Sequence, residues 1–326
     1  MVVDDASLPE TRLAVESVVR FVDYPLTYQR FATPVGLPAA RNAGLGLARG
    51  EVVGFLDDDC FPVNDDWAVR ALRWFERPWA NERVVGVGGP VFYRTTRSSV
   101  ASPEQLARTP IGMVRDIPPD VLGNFHVVPP KPLSVQTLPG GNFFVRRWEA
   151  LACGAFDPAF AGNHCREETD FFLRLGRRGT LVFDPTLKVC HLRIDSGGCR
   201  CSPERWYANA VANTFYLFSK NRRGLKKLFC HASYALQWAW RWLTGREDRR
   251  YYQVDRFCLL KAVGQGFLRG IRLSRPKRRV LVEIRLASWP LPAGRVTKQG
   301  IDHHGQLEIA RVASLSRDIG TRPRRQ

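Results

Sequence analysis

Short apolar runs alternate with segments of helical period through the first 200 residues of the chain. Val2 and Val3 precede a polar turn, and Glu51 to Leu56 forms a second apolar run that leads into three aspartates. Between and after these runs, apolar side chains recur every three or four residues, which is the period of a helix. The helices predicted in this way span residues 10–21, 36–48 and 67–75. Such alternation is typical of a parallel or mixed sheet covered by helices.

The same alternation resumes after a long interruption. Residues 84–92 predict a further strand, whereas residues 94–137 are rich in proline and lack a clear period. A segment of this length inside a domain is usually functional or mobile. Downstream, an apolar run covers residues 140–145, helices are predicted at 147–152 and 167–178, strands at 181–184 and 187–190, and a polar loop at 191–201.

Three helices rich in aromatic and basic residues are predicted in the C-terminal part, at 204–221, 225–243 and 252–272. The sequence beyond residue 275 is basic and interrupted by prolines. We therefore expect that tail to be poorly ordered, with one short strand at 280–286.

Charge is distributed unevenly along the chain, whose formal net charge is +18. Residues 1–199 contain 22 basic and 23 acidic side chains, whereas residues 200–326 contain 27 and 8. We therefore predict an α/β domain at 1–200, a helical basic extension at 201–273 and a basic tail at 274–326. The hydrophobic fraction of 44% excludes disorder of the whole chain.

Cysteines and apolar segments indicate the compartment. The eight cysteines form no C-x-x-C pair, which fits reduced thiols in a cytosolic protein. The first seven residues lack the basic and apolar regions of a secretory signal. Leu228 to Leu243, a stretch of 16 residues, is apolar but contains His231 and Arg241, so it is too short and too polar to span a bilayer. We expect a cytoplasmic protein that is peripheral on the cytoplasmic face of the membrane.

Three consecutive carboxylates, Asp57, Asp58 and Asp59, follow the strand predicted at 51–56. Like charges so close together favour a positive partner. Alternate residues of an extended segment point the same way, so Asp57 and Asp59 can share a cation. Oxygen ligands of this kind fit Mg²⁺ or Mn²⁺ holding a diphosphate. The alternative is a solvated acidic turn or a helix cap.

A second acidic cluster, Glu167, Glu168 and Asp170, opens a predicted helix. Carboxylates are favoured there by the helix dipole alone, but clustered like charges can also raise one pKa and provide a general base. His191 follows a predicted strand and is a structural residue or a metal ligand. Gly140, Gly141 and Asn142 form a turn or let a substrate approach the backbone.

Taken in order, these segments resemble the motifs of the family 2 glycosyltransferases of GT-A fold, over about residues 2–193. The family motifs are V-V-D-D-G-S, A-R-N-x-G, F-L-D-D-D, G-G-N, G-x-F-D and E-D-x-D-L-x-x-R-L-x-x-x-G. The similar segments here are VVDDAS at 2–7, ARNAG at 40–44, FLDDD at 55–59, GGN at 140–142, GAFD at 154–157 and EETDFFLRLGRRG at 167–179. The resemblance implies a Rossmann-like mixed sheet flanked by helices.

The resemblance also implies how a nucleotide-sugar donor is held. Asp4 and Asp5 would contact the nucleoside, with Asp58 near the ribose. Arg41 would lie near the base or the diphosphate. The turn at residues 140–142 would belong to the same donor site.

Metal binding and catalysis follow from the same resemblance. Asp57 and Asp59 would hold Mg²⁺ or Mn²⁺. His191 is kept as a further candidate ligand from its own position after a predicted strand. Glu168 stands where the family has its catalytic Asp, so it would be the general base, with Asp170 beside it. The implied reaction is an inverting transfer of a sugar to a hydroxyl of a glycan or lipid-linked glycan, as in cell-envelope polysaccharide synthesis.

Two features depart from the family. Its members normally begin with a β-α unit before V-V-D-D-G-S, and this sequence shows none before Val2. We expect a sheet without that strand to leave apolar edges unpaired, so that the chain folds poorly and lacks activity. Processive polysaccharide synthases carry Q-x-x-R-W, whereas residues 202–206 read SPERW, with Ser202 in place of Gln. A processive synthase is therefore disfavoured.

The basic extension admits several interpretations. Mixed aromatic and basic residues suit an interface with an anionic membrane surface, close to a lipid-linked acceptor. Alternatively, the aromatic side chains pack on the α/β domain and the charges face solvent. A nucleic-acid-binding protein is a rival function, but no such signature is present, so no nucleic-acid partner is expected. A nucleotidyltransferase that uses the same acidic metal site is a second enzymatic alternative.

Overall fold

A computed structural model describes residues 1–19, 21–95, 129–193, 198–199, 201–244 and 255–274. The expected tail and its strand at 280–286, and most of the proline-rich stretch at 94–137, lie outside these residues. All the described residues belong to one compact unit. The division at residues 200 and 273 stays a prediction.

A five-stranded mixed sheet forms the centre of the fold. Its strands are β3 (Val52–Leu56), β5 (Val84–Gly88), β7 (Leu133–Val135), β8 (Asn142–Arg146) and β9 (Thr180–Phe183), in the spatial order β3-β8-β5-β9-β7. β8 runs antiparallel to both neighbours, and β5 pairs with β9 in parallel. Helices cover the sheet at α2 (Leu37–Leu47), α3 (Trp67–Glu76), α4 (Arg147–Ala152) and α5 (Glu167–Leu175). The predicted α/β fold with a mixed sheet flanked by helices is confirmed.

Strand alternation builds a core on each face of this sheet. Phe143 and Val145 of β8 pack with α2, α4 and α5, whereas Phe144 between them packs with α3. Gly54 on β3 leaves room for the Phe144 ring, because a Cβ there would lie 2.6 Å from its Cε1. β8 is therefore buried on both faces, as its continuous apolar run indicates.

Two smaller sheets complete the α/β part. β1 (Val2–Asp4) pairs in parallel with β2 (Tyr28–Arg30), and α1 (Pro9–Val19) connects them without burying any of its residues. β3 is an edge strand of the main sheet, and Leu56 at its end is 41% exposed. The expected unpaired apolar edges, poor folding and lack of activity stay predictions.

A third sheet contains His191, which the sequence predicts to lie in a loop. β10 (Val189–Arg193) pairs antiparallel with β4 (Cys60–Pro62) and in parallel with β6 (Val91–Thr95). The prediction of a loop from residue 191 is wrong, because His191 is inside β10, opposite Cys60. This register brings the residues after the third aspartate beside the histidine.

Three long helices follow, α6 (Pro203–Asn221), α7 (Gly224–Thr244) and α8 (Arg256–Leu273). Gly266 and Gly270 of α8 allow this helix to pack closely on α6. A Cβ added at Gly266 would lie 2.6 Å from Val211 Cβ, and one added at Gly270 would lie 2.7 Å from Phe215 Cβ. None of the helices in the described ranges is both long and apolar enough to cross a bilayer.

Candidate active site

The first of the three aspartates lies against a glycine and an arginine. Oδ1 of Asp57 accepts a hydrogen bond from Nη2 of Arg41 at 3.0 Å. Gly141 has a φ of +79°, and a Cβ added there would lie 2.6 Å from Oδ2 of Asp57. Both the left-handed backbone and the carboxylate therefore require glycine at this position.

The third aspartate lies against His191. Oδ2 of Asp59 lies 2.8 Å from Nε2 of His191, and with Sγ of Cys60 these potential ligand atoms all lie within 4.8 Å of one another. Burial raises the pKa of the Cys60 thiol, and the carboxylates of Asp57 and Asp59 raise it further. Of these three side chains, the carboxylate and the imidazole are donor types that fit Mn²⁺.

The structure thus brings two of the three predicted metal ligands together. Asp59 and His191 share one group, whereas Asp57 belongs to the ion pair with Arg41 and not to that group. A cation between Asp57 and Asp59 would have to share Asp57 with the arginine. The ligand set stays a proposal.

Arg41 is buried among carboxylates beneath this site. Its Nη1 donates to Oε1 of Glu167, and its guanidinium lies 5.6 Å from the ring centroids of Phe143 and Phe156. Burial alone would lower the pKa of Arg41, but Glu167, Asp57 and other carboxylates raise it, so the arginine stays charged. With both hydrogen-bonded nitrogens engaged by the protein, Arg41 orients Asp57 and Glu167.

Glu167 and Glu168 point in different directions from the start of α5. Glu167 is 1% exposed, and burial raises its pKa to about 8, an effect that Arg41 opposes. Glu168 is half-buried and lies beside Gly140, where an added Cβ would be 3.9 Å from its Cδ and 3.8 Å from Nη2 of Arg41. The predicted base and the first glycine of the turn therefore face the same space as Asp57.

Asp170 lies elsewhere, in a buried ionic network. It is 0% exposed, and its oxygens bind Arg174 at 2.9 Å, Lys220 at 2.8 Å and Asn221 at 2.8 Å. Lys220 also binds Asp157 at 2.5 Å. Burial would raise the pKa of Asp157, but the charge of Lys220 and the hydrogen bonds to this carboxylate outweigh this effect, so the pKa is lowered. Since Asp170 is saturated by these partners, we assign it a positioning role in place of the expected catalytic one.

Asn142 also differs from the expectation for the donor site. It is 0% exposed, and its amide donates to the carbonyls of Leu187 at 2.7 Å and Pro90 at 3.3 Å. Its Oδ1 accepts from Nε1 of Trp67 at 3.0 Å. The side chain joins three segments of the core and offers nothing to a ligand, so we propose a structural role for it.

Replacing Asn142 with Ala is expected to lower the free energy of unfolding by about 1–3 kcal/mol, because it removes the donor that the buried carbonyl of Leu187 accepts from. Urea denaturation followed by circular dichroism measures this. The exposed amide of Gln136 is the control, and its change to Ala should have little effect. Equal effects of the two changes would contradict the structural role.

Asp4 and Asp5, which were expected to contact the nucleoside of the sugar donor, accept hydrogen bonds from other residues of the protein. Asp4 is buried and accepts hydrogen bonds from the hydroxyl of Tyr28 and the backbone N–H of Ser7. Burial would raise the pKa of Asp4, but these hydrogen bonds and the charge of Arg30 outweigh it and lower the pKa. Asp5 accepts from the backbone N–H groups of Val35 at 2.6 Å and Gly36 at 2.8 Å. It thereby holds the turn that begins α2.

Asp58, the second of the three aspartates, is exposed. Its pKa is raised by the protein packed around its carboxyl and then by the neighbouring Asp59. No described contact assigns Asp58 to a ribose, and that role stays a prediction.

Cys199 is a residue near the site that sequence reasoning missed. Burial raises the pKa of its thiol to about 11; Arg41 lowers that pKa, whereas Asp57 and Glu167 raise it further. These influences place the short segment 198–199 close to the acidic site. The sequence gives no signal for this, because residues 191–201 have no periodic pattern.

Comparison with known protein families gives one match, which bears on the class of reaction. Residues 1–116 match the family described as Glycosyl transferase family 2. The match covers the three aspartates, Arg41 and the β3 strand, and it confirms the predicted resemblance and the enzyme class. A search of curated proteins finds no match.

Two solved glycosyltransferase structures are among those to which this chain is similar. One is GalNAc-T7 with UDP, GalNAc and Mn²⁺, at 16% identity and a TM-score of 0.44, covering 67% of this chain and 43% of that one. Another is the mannosyltransferase PcManGT from Pyrobaculum calidifontis in complex with GDP-Man and Mn²⁺, at 15% identity and a TM-score of 0.47. That comparison covers 83% of this chain and 76% of the mannosyltransferase. The chain thus spans less than half the length of the first of these structures.

Proposed function

We propose that this glycosyltransferase moves a sugar from a nucleoside diphosphate sugar to an acceptor hydroxyl, with a divalent cation. The observation that carries the proposal is the convergence of two acidic clusters around one glycine turn. Asp57 lies against Gly141 and Glu168 lies beside Gly140, although the two carboxylates are far apart in sequence. The family match over residues 1–116 supplies the reaction class.

We assign the cation to Asp59 and His191, with Asp57 as the third ligand. A bound Mn²⁺ or Mg²⁺ would neutralise the diphosphate and polarise its bond to the sugar. The protein's part is to fix the ligands: strand pairing between β4 and β10 holds Asp59 beside the imidazole, and Arg41 orients Asp57.

Glu168 is assigned the proton transfer. Its half-buried carboxylate would accept the proton of the acceptor hydroxyl, whose oxygen then forms a bond to the anomeric carbon. The bond from that carbon to the diphosphate breaks, and nucleoside diphosphate leaves with the electron pair. A single displacement of this kind inverts the anomeric carbon. Glu167 is not available for this task because it is buried against Arg41.

A panel of nucleotide sugars tests the proposal. Each is incubated with the protein and Mn²⁺, with and without a chelator, and the released product is identified. Metal-dependent release of nucleoside diphosphate with an inverted sugar product supports the assignment. Release of pyrophosphate would favour a nucleotidyltransferase, and retention of configuration would overturn the single displacement.

Changing Asp59 to Ala is expected to lower turnover by about 100-fold at a fixed Mn²⁺ concentration, because several kcal/mol of charge stabilisation depends on the bound cation. A Mn²⁺ titration of turnover should show a much higher half-saturating concentration. The exposed Asp65, changed to Ala, is the control and should behave as the unchanged protein. An unaltered titration for Asp59→Ala would remove this residue from the metal site.

The acceptor is proposed to be a glycan or lipid-linked glycan of the cell envelope, with the enzyme peripheral on the cytoplasmic membrane face. The basic excess of the helical part supports this location, since anionic lipids attract such a surface. No property of the described site favours a nucleic acid as the partner.

A further inference from the structure

The outward side of α7 is apolar along its whole length. Its exposed positions recur every three or four residues, so they share one face of the helix. Exposure reaches 85% at Leu225, 69% at Leu236 and 62% at Trp240. We call this face the outer stripe; it consists of Leu225, Leu228, Phe229, Ala232, Ala235, Leu236, Ala239, Trp240 and Leu243.

The inward side of α7 combines aromatic side chains with polar groups. Nε2 of His231 lies 3.1 Å from Oγ of Ser219 and 3.2 Å from the carbonyl of Phe215, both on α6. Burial lowers the pKa of His231, so the imidazole is neutral there. A surface helix of a globular protein ordinarily does the reverse, with its apolar side turned inward.

Ring contacts fix this orientation of α7. His231 stacks on Phe215 with centroids 4.0 Å apart, and Trp238 meets Tyr207 edge to face at 5.9 Å. Cys230 between these contacts is 2% exposed. The helix cannot roll to hide the outer stripe without breaking these contacts, so the stripe is a stable feature of the surface.

Charge selects the class of partner. The described parts of the helical region, 201–244 and 255–274, contain eleven basic and two acidic residues. One of the acidic residues, Asp255, caps α8 by accepting from two backbone N–H groups. A second copy of this chain would bring the same positive charges together, whereas an anionic lipid surface is complementary to them.

We propose that the outer stripe is the surface by which the protein lies on an anionic bilayer, with α7 parallel to the membrane plane. A helix of 21 residues extends about 30 Å along that plane. The apolar side chains would enter the boundary between headgroups and acyl chains, and Lys226 and Lys227 would contact the headgroups. This inference rests on the proposed membrane location and not on the sugar-transfer chemistry.

Vesicle co-sedimentation of the full chain tests the stripe. The vesicles are phosphatidylcholine alone, or the same lipid with about 30% phosphatidylglycerol, a composition that supplies negative surface potential. We expect the unchanged protein to bind the anionic vesicles only. The double variant Leu228→Glu, Leu236→Glu should have a partition coefficient at least about tenfold lower. Lys226→Gln with Lys227→Gln should lose about tenfold and make binding less sensitive to salt.

Matched controls separate the stripe from a general effect of added charge. Val69 and Leu72 are exposed apolar residues on α3, and changing both to Glu should leave vesicle binding unchanged. Brominated lipid should quench tryptophan fluorescence, and Trp240→Phe should reduce that quenching. Lys227 is half-buried and the other changed residues are exposed, so circular dichroism should be unaltered in each variant.

Several outcomes would overturn the inference. One is undiminished binding by the Leu228→Glu, Leu236→Glu variant, and another is equal binding to both vesicle types. Lipid-free self-association at micromolar concentration that this variant abolishes would assign the stripe to a second copy. Nucleoside diphosphate release, measured without vesicles, tests the proposed reaction separately.

Discussion

Glu168→Gln is expected to lower the turnover of sugar transfer by about 10²–10⁴-fold, the range that a positioned general base contributes. Glutamine retains the size and the polar contacts of the side chain but cannot accept the acceptor's proton. Donor binding should change little, because Glu168 faces the acceptor side of the proposed step. Initial rates with a saturating donor, together with donor affinity from calorimetry, measure the two effects independently.

Glu168→Asp is the matched comparison. The resemblance to family 2 implies Asp at this position, so a shorter carboxylate should retain much of the activity that glutamine loses. Turnover of the Gln variant at the level of the unchanged protein would exclude Glu168 as the base.

Asp170→Asn has the largest expected effect on stability, a loss of about 3–5 kcal/mol in the free energy of unfolding. The carboxylate is fully buried and neutralises Arg174 and Lys220 at once. An amide would leave both cations without their common partner. Chemical denaturation in urea gives the change directly.

The exposed Asp66 provides the control, since it pairs with Arg70 at the surface and its change to Asn should alter stability little. Lys220→Met offers an independent test of the same network, because it leaves Asp157 and Asp170 without their shared cation. If Asp170→Asn unfolded at the same urea concentration as the Asp66 variant, the network would not stabilise the fold.

The main elements of the fold were predictable because their apolar runs are long enough to show a period. β2, β4 and β7 were missed, since each has only three residues and none contains an apolar run like Val2 and Val3 of β1. The strand predicted at 84–92 is two strands, separated at Gly89, where a Cβ would lie 2.1 Å from the carbonyl of Leu187. That close approach depends on a residue distant in sequence, which no local pattern can indicate.

The candidate site was predictable in its chemistry but not in the orientation of its side chains. Sequence alone gives Glu167, Glu168 and Asp170 as one cluster, whereas successive helical residues are turned by about 100° and face different surroundings. Only the fold shows that Glu167 meets Arg41, which is 126 positions away. The burial of Asn142 against Trp67 is hidden from the sequence for the same reason.

Hydrogen bonds and ion pairs between α6 and the α/β part determine where the chain can be divided. Lys220 and Asn221 reach back to Asp157 and Asp170, and Asn213 donates to the carbonyl of Ala161 at 3.1 Å. A fragment that ended at residue 200 would contain every motif of the resemblance and still lack the cations that these carboxylates need. Domain dissection, fusion or grafting of this enzyme should therefore retain the chain through Asn221.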